Sequence, residues 1–329
     1  MTKTKVFSRI PFDARIFVAG HAGLVGSAIV RSLTRHGFRN ILTRTRSELD
    51  LLDQRGVERF FAQERPEFVF LVAGKVGGIV HNSKHQADFL YENLMISANV
   101  IKAAADFGVE KLLYTGSSCI YPKLSPQPIP EEALLSGPLE PTNEGYALAK
   151  IAGLKLCEKF HQQYGKSFVS VMPTNMYGPN DNFHPEHSHV IPGMMRRFHE
   201  AKVHGDPYVT VWGTGSPRRE FLYVDDFAEA ALTVMERYDE PTTLNVGTGE
   251  DVTIRYLAEQ MKECIGYGGE IRFDTSKPDG TPRKVLDVAR VKALGWRPAV
   301  SLAEGLSRAY CWALKHNKFS LPEMEANAS

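Results

Sequence analysis

The chain has 329 residues, of which 43% are hydrophobic and 23% are charged, and its formal net charge is +1 at pH 7. This length and composition are typical of a globular protein with a substantial core, in one large domain or two modest ones. The balanced charge argues against a nucleic-acid or membrane surface, because such partners usually require a concentrated basic face. We therefore expect a small-molecule ligand.

The cysteines follow neither a metal-binding nor a disulfide pattern. They are widely scattered, without a CxxC pair, at Cys119, Cys157, Cys264 and Cys311. This predicts reduced thiols, no metal site and a cytoplasmic location. No run approaches the roughly 20 apolar residues of a membrane span, and the polar start over residues 1–5 lacks the apolar stretch of an export signal.

The first half of the chain alternates between predicted strands and helices. After a short polar arm over residues 1–12, apolar Arg15–Ala19 predicts a strand, and helical spacing predicts a helix over Leu24–His36 that Gly37 ends. The later elements are strands over Asn40–Leu42, 68–73 and Lys111–Thr115, and a helix over 88–107. Such alternation is typical of an α/β fold with a Rossmann-type, doubly wound parallel sheet.

The second half is less regular. The proline-rich stretch 125–141 predicts a surface loop, and His, Pro, Asn and Arg residues crowd 178–219. A helix over 226–237 and a strand over 243–246 follow. We expect a Rossmann domain over 13–180, to which about 220–248 return, a smaller mixed α/β lobe from 181–219 and 249–318, and terminal arms over 1–12 and 319–329, of which 321–329 should be frayed.

A glycine-rich turn lies between the first strand and the first helix. Its GxxGxxG spacing lets backbone amides at a helix start approach a pyrophosphate, and the helix dipole favours the negative charge. A glycine turn between any strand and helix is the alternative, but the flanking elements favour a dinucleotide site. The residues expected to contact the dinucleotide are Gly20, Gly23, Leu24, Val25 and Gly26.

The residues about 20 positions past this turn bear on the choice of cofactor. An NAD enzyme usually carries an acidic residue there for the ribose 2′-hydroxyl, whereas this chain has Arg44 and Arg46. A guanidinium group pairs with a 2′-phosphate, which favours NADPH over NADH, although either arginine could simply be a solvated residue at a strand end. Asp53 is a candidate adenine contact or the cap of the next helix.

Three further residues indicate chemistry on a carbonyl group. Tyr146 and Lys150 are four residues apart and share one face of a helix, so the ammonium group can lie near the phenol and the cofactor ribose. A nearby cation lowers the pKa of a tyrosine from about 10 by about 1–3 units, which suits a proton donor. Ser117 follows the strand Lys111–Thr115 at the carboxyl end of the sheet, where ligands bind. A YxxxK pair alone occurs by chance, but the order of turn, serine, tyrosine and lysine predicts a reductase.

With these residues assembled, the chain resembles the extended short-chain dehydrogenase/reductase family, which acts largely on nucleotide sugars. Residues 172–179 (MPTNMYGP) and 219–226 (REFLYVDD) are similar to segments that follow the catalytic helix in that family. Other stretches are similar to its GDP-L-fucose synthase branch, namely 75–79 (KVGGI), 116–123 (GSSCIYPK), 140–144 (EPTNE), 181–185 (DNFHP) and 188–192 (SHVIP). Ala22 departs from this pattern, which often has arginine inside the glycine turn, so the preference for NADPH would depend on Arg44 and Arg46.

The resemblance implies conversion of GDP-4-keto-6-deoxy-D-mannose to GDP-L-fucose, by epimerisation at C3 and C5 followed by NADPH-dependent reduction of the C4 ketone. It assigns the acid and base of epimerisation to Cys119 and His189, which from the residues alone could equally be a buried strand-end cysteine and a loop histidine. Beyond the glycine turn and the arginines, it implies NADP(H) contacts at Lys150, Pro173, Asn175, Met176 and His189.

The resemblance also implies a GDP site and a homodimer. Arg197 and Arg219 would pair with the diphosphate, Trp212 would offer a flat face to the base or sugar, and Asp279 would hold a hydroxyl group. The alternatives are solvated arginines, a core tryptophan and a turn aspartate. Members of the family pair through two helices, here 88–107 and 147–164. The remaining rivals are another nucleotide-sugar epimerase, dehydratase or 4-reductase, and a non-catalytic NADP(H)-binding sensor.

Overall fold

The computed structural model describes residues 7–185, 187–277 and 279–320. Its strands, in chain order, are β1 (Arg15–Ala19), β2 (Asn40–Leu42), β3 (Phe68–Leu71), β4 (Lys111–Thr115), β5 (Ser167–Pro173), β6 (Asn175–Tyr177), β7 (Tyr208–Trp212), β8 (Arg218–Arg219), β9 (Phe221–Tyr223), β10 (Leu244–Val246), β11 (Val252–Thr253), β12 (Glu270–Asp274) and β13 (Arg283–Lys284). Its α-helices are α1 (Leu24–His36), α2 (Gln54–Glu64), α3 (Ile79–Lys84), α4 (Gln86–Asp106), α5 (Glu144–Tyr164), α6 (Val190–His204), α7 (Val224–Arg237), α8 (Ile254–Ile265), α9 (Ala289–Ala293) and α10 (Leu302–Lys315).

Six strands form a parallel sheet in the order β2-β1-β3-β4-β5-β10. Every residue of β3 and β4 is buried, as expected for strands covered by helices on both faces. The strand order reverses between β1 and β3, and ligands of doubly wound folds bind in the crevice beyond the carboxyl ends of the strands at such a point. The sheet confirms the predicted Rossmann-type fold and places the glycine turn at this crevice.

A second hydrophobic cluster packs helices α6, α8 and α10 together around side chains such as Met195, Phe198 and Leu257. Helix α6 lies inside the stretch 178–219, for which no helix or strand was predicted. Its buried residues Ile191, Met194, Met195, Phe198 and Ala201 are nevertheless at helical spacing. The polar crowding around them concealed that periodicity.

The boundaries of several elements and the character of the amino-terminal arm differ from the prediction. The strand predicted over 68–73 ends at Leu71, and the helix predicted over 88–107 is Gln86–Asp106. Residues 7–12 are not a polar arm, because Phe7 and Ile10 are buried and the Phe7 ring packs 5.1 Å from Phe38. At the other end, Phe319 is buried in the second cluster, and residues 321–329 lie outside the described residues.

Within the described residues, no helix combines the length and apolarity that a membrane crossing requires.

Candidate active site

The glycine turn after β1 has two positions that only glycine can occupy and one that is open. Gly20 has a φ of +93°, and a Cβ atom there would lie 2.8 Å from the backbone of Ala73. A Cβ atom at Gly26 would lie 2.6 Å from the Gly20 carbonyl carbon and 2.7 Å from the His21 Cα atom. At Gly23, by contrast, it would meet only the Gly20 oxygen, at 3.6 Å. The turn therefore packs tightly against backbone atoms at Gly20 and Gly26 and has free space at Gly23.

Gly23 is the N-cap residue of α1, and no side chain caps this helix. The first amides of a helix lack intrahelical acceptors, so those of Leu24, Val25 and Gly26 are available to a phosphate group. This cradle fits the pyrophosphate of a dinucleotide.

Of the two arginines after β2, Arg44 is the more tightly engaged within the protein. Arg44 pairs with Glu64 at 2.5 Å, and its guanidinium lies 5.3 Å from the centre of the Phe60 ring. The Arg46 side chain is 73% exposed, and its Nε atom lies 3.7 Å from Asp50. Arg46 is therefore the better placed to pair with a 2′-phosphate.

Asp53 is the N-cap residue of α2, but its side chain makes no capping hydrogen bond. Its carboxylate lies 3.7 Å from Arg59 instead.

Three candidate catalytic residues meet beyond the carboxyl end of β4. Ser117 caps a short 3-10 turn over Ser118–Ile120, where its Oγ atom accepts a hydrogen bond from the Cys119 amide at 3.2 Å. The Tyr146 hydroxyl group, on α5, lies near Ser117 and Cys119, since both residues influence its pKa. A hydroxyl, a phenol and a thiol thus share one cleft.

Lys150 does not act on Tyr146 as the spacing predicted. The pKa of Tyr146 is raised from its ordinary value, chiefly by burial and then by Cys119, and the nearby Ser117 hydroxyl group opposes this only in part. The Lys150 side chain is buried, and its Nζ atom donates to the Thr115 carbonyl group at 2.9 Å and lies 5.8 Å from the Tyr146 ring. The expected lowering of the Tyr146 pKa is therefore wrong for this arrangement. Burial lowers the pKa of Lys150 itself to about 8.

Asn93, which the sequence analysis missed, fixes the loop beside Lys150. Its Oδ1 atom accepts from the Lys75 amide and its Nδ2 atom donates to the Lys75 carbonyl group, both at 3.0 Å. This loop contains Gly74, where a Cβ atom would lie 3.5 Å from Lys150 Nζ. The sequence signal that could have identified Asn93 is its polar amide among the buried residues of α4.

His189 is the N-cap residue of α6, and its side chain is exposed. The surrounding protein mass lowers its pKa from the ordinary value of 6.5 by desolvation, so the imidazole is neutral at pH 7. Among the described residues no hydrogen bond joins His189 to Cys119.

The loop before His189 is tied to three other parts of the fold. Gly78 donates its amide to the His187 carbonyl group at 3.3 Å, and Asn180 donates to Ser27 Oγ, on α1, at 2.9 Å. Arg196, which is buried, donates from Nε to the Phe183 carbonyl group at 2.6 Å. The loop before His189 is therefore hydrogen-bonded directly to α1, the helix that follows the glycine turn.

The four candidate substrate residues gather at the end of β7. Arg197 donates to the Thr210 carbonyl group at 3.2 Å, and Trp212 is 61% exposed. Both carboxylate oxygens of Asp279 accept hydrogen bonds from Thr214, so Asp279 holds the turn after Trp212.

Arg219 completes this group. Burial lowers the pKa of Arg219, and Asp279 opposes that shift. In the described part of the chain neither Arg197 nor Arg219 has a carboxylate at ion-pair distance, so both guanidinium groups are available to an anion.

The model of the NAD dependent epimerase/dehydratase family matches residues 16–247. The chain belongs to this family. It is 57% identical to GDP-L-fucose synthase 1 of Arabidopsis thaliana, over 95% of this chain and 97% of the relative. It is 56% identical to GDP-L-fucose synthase of Escherichia coli (strain K12), over 92% of this chain and 97% of the relative. Among solved structures, GDP-mannoheptose C4 reductase from Campylobacter jejuni with NADP bound superposes with a TM-score of 0.86 and 36% identity, over 93% of this chain and 99% of that one. These relatives confirm the resemblance drawn from the sequence.

Three further positions expected to contact the cofactor lie where β5 is followed by β6. Pro173 ends β5. Asn175 donates to the Glu220 carbonyl group at 2.9 Å, and Met176 packs partly buried against the main core. These contacts fix the segment at the carboxyl end of the sheet.

No described set of three or more His, Cys, Asp and Glu side chains is arranged to hold a metal ion.

Proposed function

We propose that the protein converts GDP-4-keto-6-deoxy-D-mannose to GDP-L-fucose, by epimerisation at C3 and C5 followed by NADPH-dependent reduction of the C4 ketone. The observation that carries this proposal is the meeting of Cys119 with Ser117 and Tyr146. A ketone reductase needs only the hydroxyl groups, whereas a thiol in the same cleft adds a group that can exchange protons with carbon. The two relatives named as GDP-L-fucose synthases support it.

NADPH would be held by the open glycine turn and by Arg46. When bound, it supplies the hydride for the C4 carbon. The NADP-bound reductase of the same fold supports this choice. Arg44 contributes less than the sequence suggested, because Glu64 already neutralises it.

The residues of the chain supply the proton chemistry. Removal of a proton from C3 or C5 leaves an enolate whose charge lies on the C4 oxygen, where Ser117 and Tyr146 donate hydrogen bonds. Tyr146 is protonated at neutral pH, burial raises its pKa further above the ordinary value, and it gives that proton to the C4 oxygen during reduction. His189 is neutral and can accept a proton, while the Cys119 thiol can donate one. Either could serve at each carbon.

The GDP end of the substrate would lie against the second lobe. Arg197 and Arg219 pair with the diphosphate, since neither has a described carboxylate partner. The exposed Trp212 ring offers a stacking face, and Lys277 Nζ lies 5.8 Å above that ring. Asp279 acts mainly by holding the Trp212 turn and secondarily by accepting from a sugar hydroxyl. The two hydrophobic clusters support a division into a cofactor domain and a substrate lobe, but with other boundaries than those expected from the sequence. Leu286, Val288, Val291 and Trp296, which were assigned to the lobe, pack in the first cluster, and Tyr177, Phe221 and Tyr223 pack in the second.

The protein would act as a homodimer in the cytoplasm. Helices α4 and α5 pack together and expose Tyr91, Leu94, Leu148 and Tyr164, which a second copy of the pair would cover. The cytoplasmic location is supported by the four free cysteines.

The test supplies purified protein with GDP-4-keto-6-deoxy-D-mannose and NADPH in heavy water. Mass spectrometry and NMR follow NADPH loss and deuterium incorporation at C3 and C5. We expect one NADPH consumed per product and deuterium at both carbons. Cys119→Ser and His189→Asn should each reduce deuterium incorporation while circular dichroism stays unchanged.

The alternatives give different results. NADPH loss without deuterium incorporation would leave a simple 4-reductase. Tight NADPH binding without any turnover would indicate a non-catalytic sensor, and either result would overturn the proposal.

A further inference from the structure

A lysine from the far end of the chain faces the Cys119 sulfur. Lys284 lies on β13, and its Nζ atom is 3.9 Å from Cys119 Sγ. The two residues are 165 positions apart, so only the folded chain brings them together. The side chain of Lys284 is half-buried.

One strand pairing and two hydrogen bonds hold the backbone around Lys284. In the sheet register Lys284 lies opposite Arg219 of β8. The next two amides are also engaged, because Val285 donates to Gln127 Oε1 and Leu286 to Glu220 Oε2, each at 2.9 Å. The base of the lysine side chain is therefore fixed, and its position against Cys119 follows from the fold.

The charge of Lys284 is not neutralised by a carboxylate among the described residues. Its neighbour Arg283 provides the contrast, because Arg283 pairs with Asp251, which Arg218 also holds. Two cations of one short strand thus differ in role: one is part of a surface ion-pair cluster, and the other points at a thiol.

We propose that Lys284 is a positioning residue for Cys119, whose ammonium group orients the sulfur and offsets the negative charge that the sulfur carries after losing its proton. The part of this inference that concerns catalysis rests on the proposed epimerisation. Ser117 and Tyr146 also adjoin Cys119, but both are uncharged at neutral pH. Lys284 is the charged group with a described contact to the sulfur.

The proton transfer balances in both directions. When Cys119 donates, the S–H bond breaks, its electron pair stays on sulfur, and the proton forms a C–H bond with the enolate carbon. When the thiolate accepts, that C–H bond breaks, its electron pair forms the enolate, and an S–H bond forms. Lys284 keeps all of its protons in either direction and faces the thiolate in each.

The test measures alkylation of Cys119 by iodoacetamide in the full-length protein, without substrate or cofactor, with peptide mapping to separate it from the other cysteines. Iodoacetamide reacts with thiolates and not with thiols, and a cation beside a thiol favours the thiolate. We expect Lys284→Met to lower the rate at pH 7 about tenfold. Lys284→Gln repeats the test if the methionine variant does not fold.

Two controls separate charge from structure. Lys284→Arg keeps the charge and should stay within about threefold of the wild-type rate. Arg283→Met removes a positive charge from the same strand and should leave the rate unchanged. Rates within twofold for Lys284→Met or Lys284→Gln, or an equal loss in Arg283→Met, would overturn the proposal.

Because no substrate is used, this result is independent of the proposed function. If heavy-water exchange failed while the alkylation result held, the contact between Lys284 and Cys119 would stand and the epimerase assignment would fall. If the exchange held, Lys284→Met should reduce it more than Arg283→Met does.

Discussion

Replacing Gly26 with alanine should disrupt the phosphate-binding turn, whereas the same replacement at Gly23 should leave the fold intact. At Gly26 the new Cβ atom would lie 2.6 Å from the Gly20 carbonyl carbon and 2.7 Å from the His21 Cα atom, both backbone atoms. Carbon atoms in van der Waals contact are about 3.5 Å apart, so the backbone would have to shift by nearly 1 Å. Overpacking of this kind typically costs about 1–3 kcal/mol, and the upper end applies here because no flexible side chain can yield.

The Gly23 backbone has φ −79° and ψ 177°, which any residue can adopt, and the new Cβ atom would lie 3.6 Å from the nearest described atom. The free energy of unfolding should therefore change by less than about 1 kcal/mol. The methyl group would nevertheless occupy the open side of the turn, where a pyrophosphate approaches. Binding should weaken at both positions, and stability should fall only at Gly26.

Urea unfolding and isothermal titration calorimetry with NADPH measure the two effects separately. We expect Gly26→Ala to lose about 3 kcal/mol of unfolding free energy. We expect Gly23→Ala to retain the wild-type midpoint while its dissociation constant for NADPH rises at least about tenfold, as for loss of about 1.4 kcal/mol. The reasoning would be refuted if the two variants unfolded alike, or if Gly23→Ala bound NADPH as tightly as the wild type.

Three other perturbations follow from the same structure. Tyr146→Phe should lower NADPH-dependent ketone reduction by about 10²–10⁴-fold with unchanged circular dichroism, since it removes only the proton donor, and a loss under threefold would contradict that role. Glu220→Gln should destabilise the protein by about 2 kcal/mol in urea unfolding, because its two carboxylate oxygens accept from Gly249 and Leu286 and an amide has only one oxygen to offer. Burial lowers the pKa of Lys111 to about 8. Between pH 8 and 9.5 the unfolded chain therefore binds more protons than the folded one, so the free energy of unfolding rises with pH. This group should contribute about 1.5 kcal/mol to that rise. Lys111→Met should lack that part of the rise, and an identical pH dependence in both proteins would count against it.

The sheet could be predicted from the sequence because its signals are local. The glycine turn lies between a short apolar run that predicts β1 and a helical pattern that predicts α1. The whole signal spans only about 20 residues. Helix α6 shows where this approach failed, since its apolar positions from Ile191 to Ala201 have helical spacing but follow a stretch rich in histidine and proline. Composition outweighed periodicity there, although the periodicity was the better guide.

The candidate site could be predicted only in part, because spacing fixes which face of an element a residue occupies and not what its side chain contacts. Tyr146 and Lys150 share one face of α5, but the lysine donates to the Thr115 carbonyl group. Arg44 and Arg46 are equivalent in the sequence and differ in the fold because only Arg44 reaches Glu64. The contact between Lys284 and Cys119 has no local signal at all, since it depends on the register of β13 beside β8.

Desolvation favours the uncharged forms of the phenol and the imidazole that the proposed mechanism uses as acid and base. Desolvation disfavours charge, and therefore raises the pKa of Tyr146 and lowers that of His189. The phenol keeps its proton and the imidazole remains without one, so both groups are in the protonation state that their proposed roles require, and neither depends on an ion pair. Cys119 differs, because a thiolate must carry charge in the same cleft. A cation that faces the sulfur without a described carboxylate partner of its own meets that requirement, and Lys284 is such a cation.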